Sequence, residues 1–516
     1  MRMALLVFVV LVSQNILALP FPLPESNFIA AKMPMNLIYP LQDNVTQIHA
    51  RHRWAHPGMP YNIPIGVQGG AWPFKYELVS APAGATIGQY YGDESYGVVS
   101  WVPSISSGTE SFVVRVTDQE LNTIEATWNV TIDANQFVFI QDGWTGTKDG
   151  TINAPLESFA DWYKGDRADD TYHNKIIVFR GGHYTAYGAA ATNGNVRLDA
   201  ASKTPSLIGY PGETPVIDCS GAKIFADNGV LNDIFVSGLR FENARTDVAN
   251  SHFFWVTGTP QRATWYNNYF YNLGNGTEGT DNPSAIFISG TSGDKHFILV
   301  KGNTFDKFTN NGSNGSYMDM YRAYDVLIEE NTMKNSENDY GIWAKVTKAF
   351  VTIRANTLIE NITSGGISVH YGDAAPGQPH DHEICWNRVA FNSGNRGSVP
   401  LWIMGDAPSD INKNHYNSFI YRNTFYGGRP IVRFVGIENY KVDGNVVVGD
   451  SLEVWNNNLN IMDTVVSNVV GDKSSGITDM SGSLVGASRS EYLGIAGHEL
   501  SYEAAVKPNP PVLSVQ

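Results

Sequence analysis

From about residue 230 to residue 450 the chain repeats one phrase: an alternating apolar run, a turn, a second run of the V-x-I-x-x-N-T type, and another turn. Asparagines close the second run at Asn268, Asn303, Asn331, Asn356, Asn387, Asn423 and Asn445, with separations of 22 to 36 residues. Self-similarity at this spacing marks a solenoid, and runs of strand length without helical periodicity make its coils β rather than α. The expected fold is all-β, a right-handed parallel β-helix. Stacked coils let the asparagine side chains hydrogen-bond from one to the next, which accounts for the repeated residue without any chemistry. Function is to be sought on the strands and loops beside that ladder.

A further short strand precedes each asparagine run: SAIFISG (284–290), SYMDMYR (316–322), YGIWAKV (340–346), GGISVHYG (365–372), VPLWIMG (399–405) and RPIVRFVG (429–436). Strand alternation predicts Ile286, Ile288, Met318, Met320, Ile342, Ala344, Ile367, Val369, Leu401 and Ile403 in the bore. Their neighbours then face outward: Phe287 and Ser289, Asp319 and Tyr321, Trp343 and Lys345, Ser368 and His370, Trp402 and Met404, with Arg433 on the next coil. Parallel strands lie ~4.8 Å apart, so Tyr321, Lys345 and His370 form one row about two spacings long. A phenol, an amine and an imidazole flanked by tryptophans suit a saccharide site with acid and base groups.

Only 16% of the 516 residues are charged, against 50 Gly, 25 Tyr and 12 Trp, a usage that suits a large secreted β protein with a long core. The net charge of −15 argues against nucleic acid as a partner. An anionic polymer is compatible with it, because Lys345, His370, Arg322 and Arg433 act locally while a distant acidic surface is screened. Arg2, the apolar stretch ALLVFVVLV and the polar SQN give residues 1–20 the layout of a secretory signal, so a secreted or periplasmic protein is expected. No later run approaches the ~20 apolar residues of a membrane span. Cys219 and Cys385 fall in separate coils and read as two buried thiols. A monomer is expected.

Residues 37–134 have another texture. Alternating runs such as YNIPIGV, KYELVSA, YGVVSWV, ESFVVRVTD and ATWNVTID are parted by Gly, Pro and Ser turns at the spacing of a β-sandwich. The phrases YELVSAPAGATI, GVVSWVPS and FVVRVTDQ resemble the immunoglobulin-like modules of bacterial secreted enzymes, a resemblance that implies spacing, docking or weak glycan contact. The coil is expected over residues 137–490, opened by a short helix near LESFADWYKG that caps the bore, with a Pro-rich tail over 491–516.

The stretch IWAKVTKAFVTIRANTLIENITSGGISVHYG resembles the core of the parallel β-helix polysaccharide lyases that include chondroitinase B and family-six alginate lyases. There a strand ends in a lysine, an asparagine-marked run follows, and the next strand has the form G-x-L-x-L-R-H-G. The resemblance implies that Lys345 is the catalytic base, that His370 stands where the family has a catalytic arginine, and that Tyr371 stands where it has a histidine. It also implies two acidic calcium ligands five and seven residues before the lysine. Tyr340 and Asn338 occupy those positions. Asp339 and Glu337 are the weak metal candidates that remain beside them, and no cofactor is expected to be required.

β-Elimination on a uronic acid gives such a row a use. The site must offset the carboxylate, take the C5 proton and protonate the departing O4. Lys345 is the expected base, Tyr321 or His370 the acid, and His370, Arg322 and Arg433 candidate carboxylate partners. Trp343, Trp402 and Tyr371 are candidate faces or contacts for sugar rings, and Asp319 accepts hydroxyls or orients Tyr321. Two alternatives stand beside this: a glycoside hydrolase drawing on Asp319, Asp373 and Asp381, which needs two carboxyls across the scissile bond, and a non-catalytic glycan-binding adhesin. His380, Asp381 and His382 in GQPHDHE are expected in a loop bordering the groove rather than in a zinc site.

Overall fold

The computed structural model describes residues 33–41, 50–88, 97–163 and, with interruptions, 172–471. Among them the repeated phrase folds as stacked coils whose strands form three long parallel sheets of 14, 11 and 9 strands. The molecule is a parallel β-helix. One coil shows the plan: Ser284–Ile288 joins the nine-stranded sheet, Ile298–Lys301 the 14-stranded sheet and Thr304–Phe308 the 11-stranded sheet. The ten apolar residues assigned to the bore from Ile286 to Ile403 are all fully buried, in one core that runs from Val138 to Phe425. Strand alternation decides this, since aligned coils leave each bore residue stacked on its equivalent in the next.

The asparagines form the expected ladder. Asn268 Nδ2 donates to Asn303 Oδ1 at 3.0 Å, Asn303 to Asn331 at 3.0 Å, Asn331 to Asn356 at 2.9 Å, and the series continues through Asn387 and Asn423 to Asn445. Each Nδ2 also reaches a strand carbonyl, as Asn331 does to Val300 O at 2.8 Å. From Asn268 to Asn423 the turn that places the amide is made by a left-handed residue before it: Asn267, Gly302, Glu330, Ala355, Trp386 and Arg422 all have φ between 53° and 65°. A side chain that supplies two donors and an acceptor satisfies a buried bend that no apolar residue would.

At the start of the coil residues 159–163 are helical, and Phe159 and Trp162 pack on Phe179 with ring centroids 6.0 and 6.1 Å apart. They close the bore. Cys219 and Cys385 are free and buried. No helix among the described residues is long and apolar enough to cross a membrane. One expectation fails: His380–Cys385 is a strand of the 14-stranded sheet, not a loop, with His382 beside Val351 in register. Imidazoles in place of valine hide the strand's alternation from the sequence.

Ahead of the coil, two small sheets pack face to face. One holds Trp54–Ala55, Thr123–Ile132, Gly108–Thr117 and Lys75–Ser80; the other holds Tyr61–Pro64, Val98–Trp101 and Thr86–Ile87. Phe112 stacks on Trp128 at 5.1 Å, and the Trp128 indole N–H donates to Tyr61 Oη at 2.8 Å. A separate two-stranded sheet of Asn36–Tyr39 and Gly66–Gln68 packs on the 14-stranded sheet, where a Cβ at Gly66 would lie 3.0 Å from Leu299, and the N-terminal core continues into Leu299, Leu327, Ala355, Cys385, Trp386 and Tyr421. Arg354 crosses the junction, donating to Val67 O at 2.6 Å and Gly69 O at 3.2 Å.

Candidate active site

Four strands carry the candidate row: Ser316–Tyr321, Tyr340–Lys345, Gly365–His370 and Val399–Met404, side by side in the nine-stranded sheet. Their register pairs Tyr321 with Lys345, Lys345 with His370, and His370 with Met404. Two residues earlier a second line runs Phe287, Asp319, Trp343, Ser368, Trp402 and Arg433. Parallel pairing without a slip keeps both lines on the face away from the bore.

Outward does not mean exposed. Asp319 and Ser368 are wholly buried and His370 and Trp343 only 4% exposed, whereas Tyr321, Lys345 and Trp402 are half-buried. Aromatic rings wall the deeper line. Tyr340 stacks on Trp343 at 4.3 Å, and His370 stands edge-on to Tyr340, Trp343 and Trp402 at 5.9, 5.5 and 4.9 Å. Sequence reasoning missed Tyr340, because it shares the parity of the bore residue Ile342 and turns outward only at the strand's entry. The available signal was the glycine opposite: a Cβ at Gly365 would lie 2.1 Å from Ser368 Oγ and 3.0 Å from the Tyr340 ring.

The electrostatics follow from this burial. Both Asp319 oxygens, Ser368 Oγ, His370 Nε2 and Trp343 Nε1 are buried without a hydrogen-bond partner of good geometry among the described residues. Burial pushes the Asp319 carboxyl well above the usual carboxylate range, with Lys345 and the Met320 N–H pulling less strongly the other way. Burial, then Asp319, raises the Tyr321 phenol, which stays protonated. His370 is drawn down to about 3 by burial, then by His415 and Lys345, so it is a neutral imidazole at pH 7. Lys345 Nζ sits 4.7 Å from the Trp343 ring and 5.3 Å from the Tyr321 ring, a cation held over aromatic faces. Each unsatisfied buried polar group costs ~1–3 kcal/mol, so five neighbouring atoms of this kind mark a place fitted to something other than its own chain.

The remaining candidates divide. Arg322 follows Tyr321 in a left-handed turn, φ 54°, and faces Asp294 at 3.9 Å. Arg433 is next to Trp402 in register, but its side chain lies outside the described residues, as do Tyr371, Asp373, Asp339 and Glu337 entirely. His380 and Asp381 contact each other at 2.6 Å on the 14-stranded sheet, away from the row. His415, which sequence reasoning passed over, donates from Nε2 to Met404 O, 3.1 Å away, and its ring is 5.8 Å from that of His382. Among the described residues no group of three or more His, Cys, Asp or Glu converges on a metal position. At Tyr340, where the resembling lyases place an acidic ligand, a stacked phenol ring stands instead.

No protein-family model matches the chain, and no curated protein matches its sequence. Solved structures similar to it include a family 28 exopolygalacturonase of Yersinia enterocolitica, at 10% identity and TM-score 0.41, covering 79% of this chain and 95% of that one. A rhamnogalacturonan lyase aligns at 13% identity and TM-score 0.33, over 60% of this chain and 87% of its own. The catalytic domain of a GH87 α-1,3-glucanase in complex with nigerose aligns at 12% identity and TM-score 0.25, over 80% and 85%. None shares enough sequence for its residues to be matched to those of this chain.

Proposed function

We propose that this protein is a secreted polysaccharide lyase that cleaves a uronic-acid-containing polymer, of the alginate or glycosaminoglycan kind, by β-elimination. The observation that carries the reading is the unbroken register of Tyr321, Lys345 and His370 on three adjacent strands, beside buried polar atoms that their own chain leaves unpaired. In the reaction Lys345, which meets the uronate as an ammonium, gives that proton to solvent and as the free amine takes the C5 proton; the electron pair left behind forms the C4=C5 double bond, and the C4–O4 bond breaks with its pair going to O4. The Tyr321 phenol, kept protonated by its burial, delivers a proton to O4 and is restored from the Lys345 ammonium. His370, being neutral, serves the uronate as a hydrogen-bonding group and orients Trp343 and Trp402.

The hydrolase alternative has less to build on. Hydrolysis needs two carboxyls about 5 to 9.5 Å apart, while the described part of the row has Asp319 alone and Asp381 sits on another sheet. No metal is assigned to the reaction, because the ligand position at Tyr340 holds a stacked ring. The test is incubation with a panel of uronate and neutral polysaccharides, following ultraviolet absorbance of the new C4=C5 bond together with reducing ends. Absorbance with reducing ends supports the lyase; reducing ends alone point to hydrolysis, and neither to a binding protein.

A further inference from the structure

We infer that Asp319 works as a neutral carboxylic acid, a positioning residue that leaves the charge of Lys345 uncancelled for an anionic sugar as it binds, and that its ionisation as pH rises closes the site to that sugar. The inference rests on the lyase reading for its consequence, not for the state of Asp319.

The geometry around Asp319 argues for the uncharged form. The side chain is wholly buried, and neither oxygen has a well-formed hydrogen bond among the described residues. From the preceding strand it meets Phe287, which is apolar and itself stacked on His252 at 4.5 Å. From the following strand it meets Trp343, in register, and Lys345. From its own strand it meets Tyr321, whose phenol stays protonated. One strand beyond Lys345 is His370, neutral as well. Lys345 is thus the single charged side chain facing this carboxyl among the described residues, and it turns to the Trp343 and Tyr321 rings instead of closing an ion pair. A carboxylate here would be buried without a counter-ion in contact, the arrangement that burial penalises most. A carboxylic acid fits the same space and can donate a hydrogen bond.

Two consequences follow. With Asp319 neutral, the row presents the charge of Lys345 to incoming substrate and so favours a uronate over a neutral sugar. With Asp319 ionised, a carboxylate stands behind Lys345 and repels the uronate, a change that appears in KM before kcat. Stability moves in parallel. The folded carboxyl binds its proton more tightly than the unfolded one, so its full contribution is present below the ordinary Asp range and is lost as pH rises toward the folded value.

Asp319→Asn imitates the protonated acid and cannot ionise. In thermal unfolding of the full chain between about pH 3 and pH 9, the variant should differ least from wild type at the acid end and gain on it by about 2 °C or more toward the alkaline end. Parallel melting curves at every pH, or wild type gaining on the variant as pH rises, would show a working carboxylate and overturn the inference. Infrared difference spectra provide a measurement free of folding losses: the carbonyl stretch of a protonated carboxyl should be present in wild type at pH 7 and absent from Asp319→Asn and Asp319→Leu, and its absence from wild type overturns the inference. On a cleavable uronate polymer, wild-type KM should climb on the alkaline side while that of Asp319→Asn does not. Asp319→Ala should lose about 10²-fold in kcat through misplacement of its neighbours, with Asp319→Asn recovering most of it. If the stability and infrared results hold but no polymer is cleaved, the lyase reading fails and the neutral Asp319 stands.

Discussion

Two rows of the same coil bury ionisable side chains, and they do so in opposite ways. On the 14-stranded sheet, under the N-terminal region, Arg354 lies against Glu329, its Nε 2.9 Å from Oε2, and Lys301 Nζ touches Glu329 at 2.5 Å and Glu330 at 2.9 Å. The carbonyls of Val67 and Gly69, from the N-terminal region, accept from the two terminal guanidinium nitrogens. On the nine-stranded sheet Asp319 and His370 are packed as deeply or nearly so, with Lys345 half-buried beside them, yet Asp319 and His370 keep buried polar atoms unpaired. The difference separates an interface from a site. Charges that complete one another hold two layers in place, whereas groups left incomplete can be completed by a ligand.

The pH signs differ too. Arg354 and Lys301 hold the Glu329 carboxyl below its usual range against the effect of burial, so that row gives stability above the ordinary Glu range and loses it as pH falls through the depressed value. Asp319 has the reverse dependence.

The comparison can be broken most forcefully at Arg354. Arg354→Ala leaves Glu329 buried with half its partners gone and should cost about 3–5 kcal/mol in denaturant unfolding. A loss below about 1 kcal/mol would mean that the junction is not held by these charges. At the other row Lys345→Ala should lower kcat by about 10²–10⁴ while the melting temperature moves little, since a half-buried side chain outside the bore supports no core. Near-normal turnover would remove Lys345 as base. Tyr321→Phe should cost about 10² in kcat, and a purely stacking role would show as a much smaller loss.

A subtler effect belongs to His370. Its folded imidazole resists protonation, so the folded protein should lose stability as pH falls from the ordinary value of 6.5 toward about 3. In His370→Phe that part of the acid sensitivity should disappear from melting curves, and an unchanged curve would place His370 in contact with solvent. The smallest expected effect is that of chelation: EDTA should leave cleavage of the polymer unchanged, and a calcium-reversible loss would move the carboxylate-offsetting role to a metal ion.

The coil was legible in the sequence because each of its coils repeats the same local instruction. An asparagine at the bend and apolar residues at alternate positions are enough, since every coil meets a neighbour that obeys the same rule, and register then follows along the whole stack. That register was enough to bring Tyr321, Lys345 and His370 to one line. Burial was not legible. Alternation says which way Asp319 points but not that Phe287, Trp343 and Tyr321 surround it, nor that Tyr340 leaves the bore to stack on Trp343. The strand at His380–Cys385 stayed hidden because two imidazoles occupy positions where the pattern called for aliphatic residues. Nor did anything local announce that Arg354 would be completed by the carbonyls of Val67 and Gly69, close to three hundred positions away in the chain, at 287 and 285 residues. A repeat fixes direction through nearest neighbours alone, but the charge state of a side chain depends on everything packed around it, and only the tertiary structure brings that together.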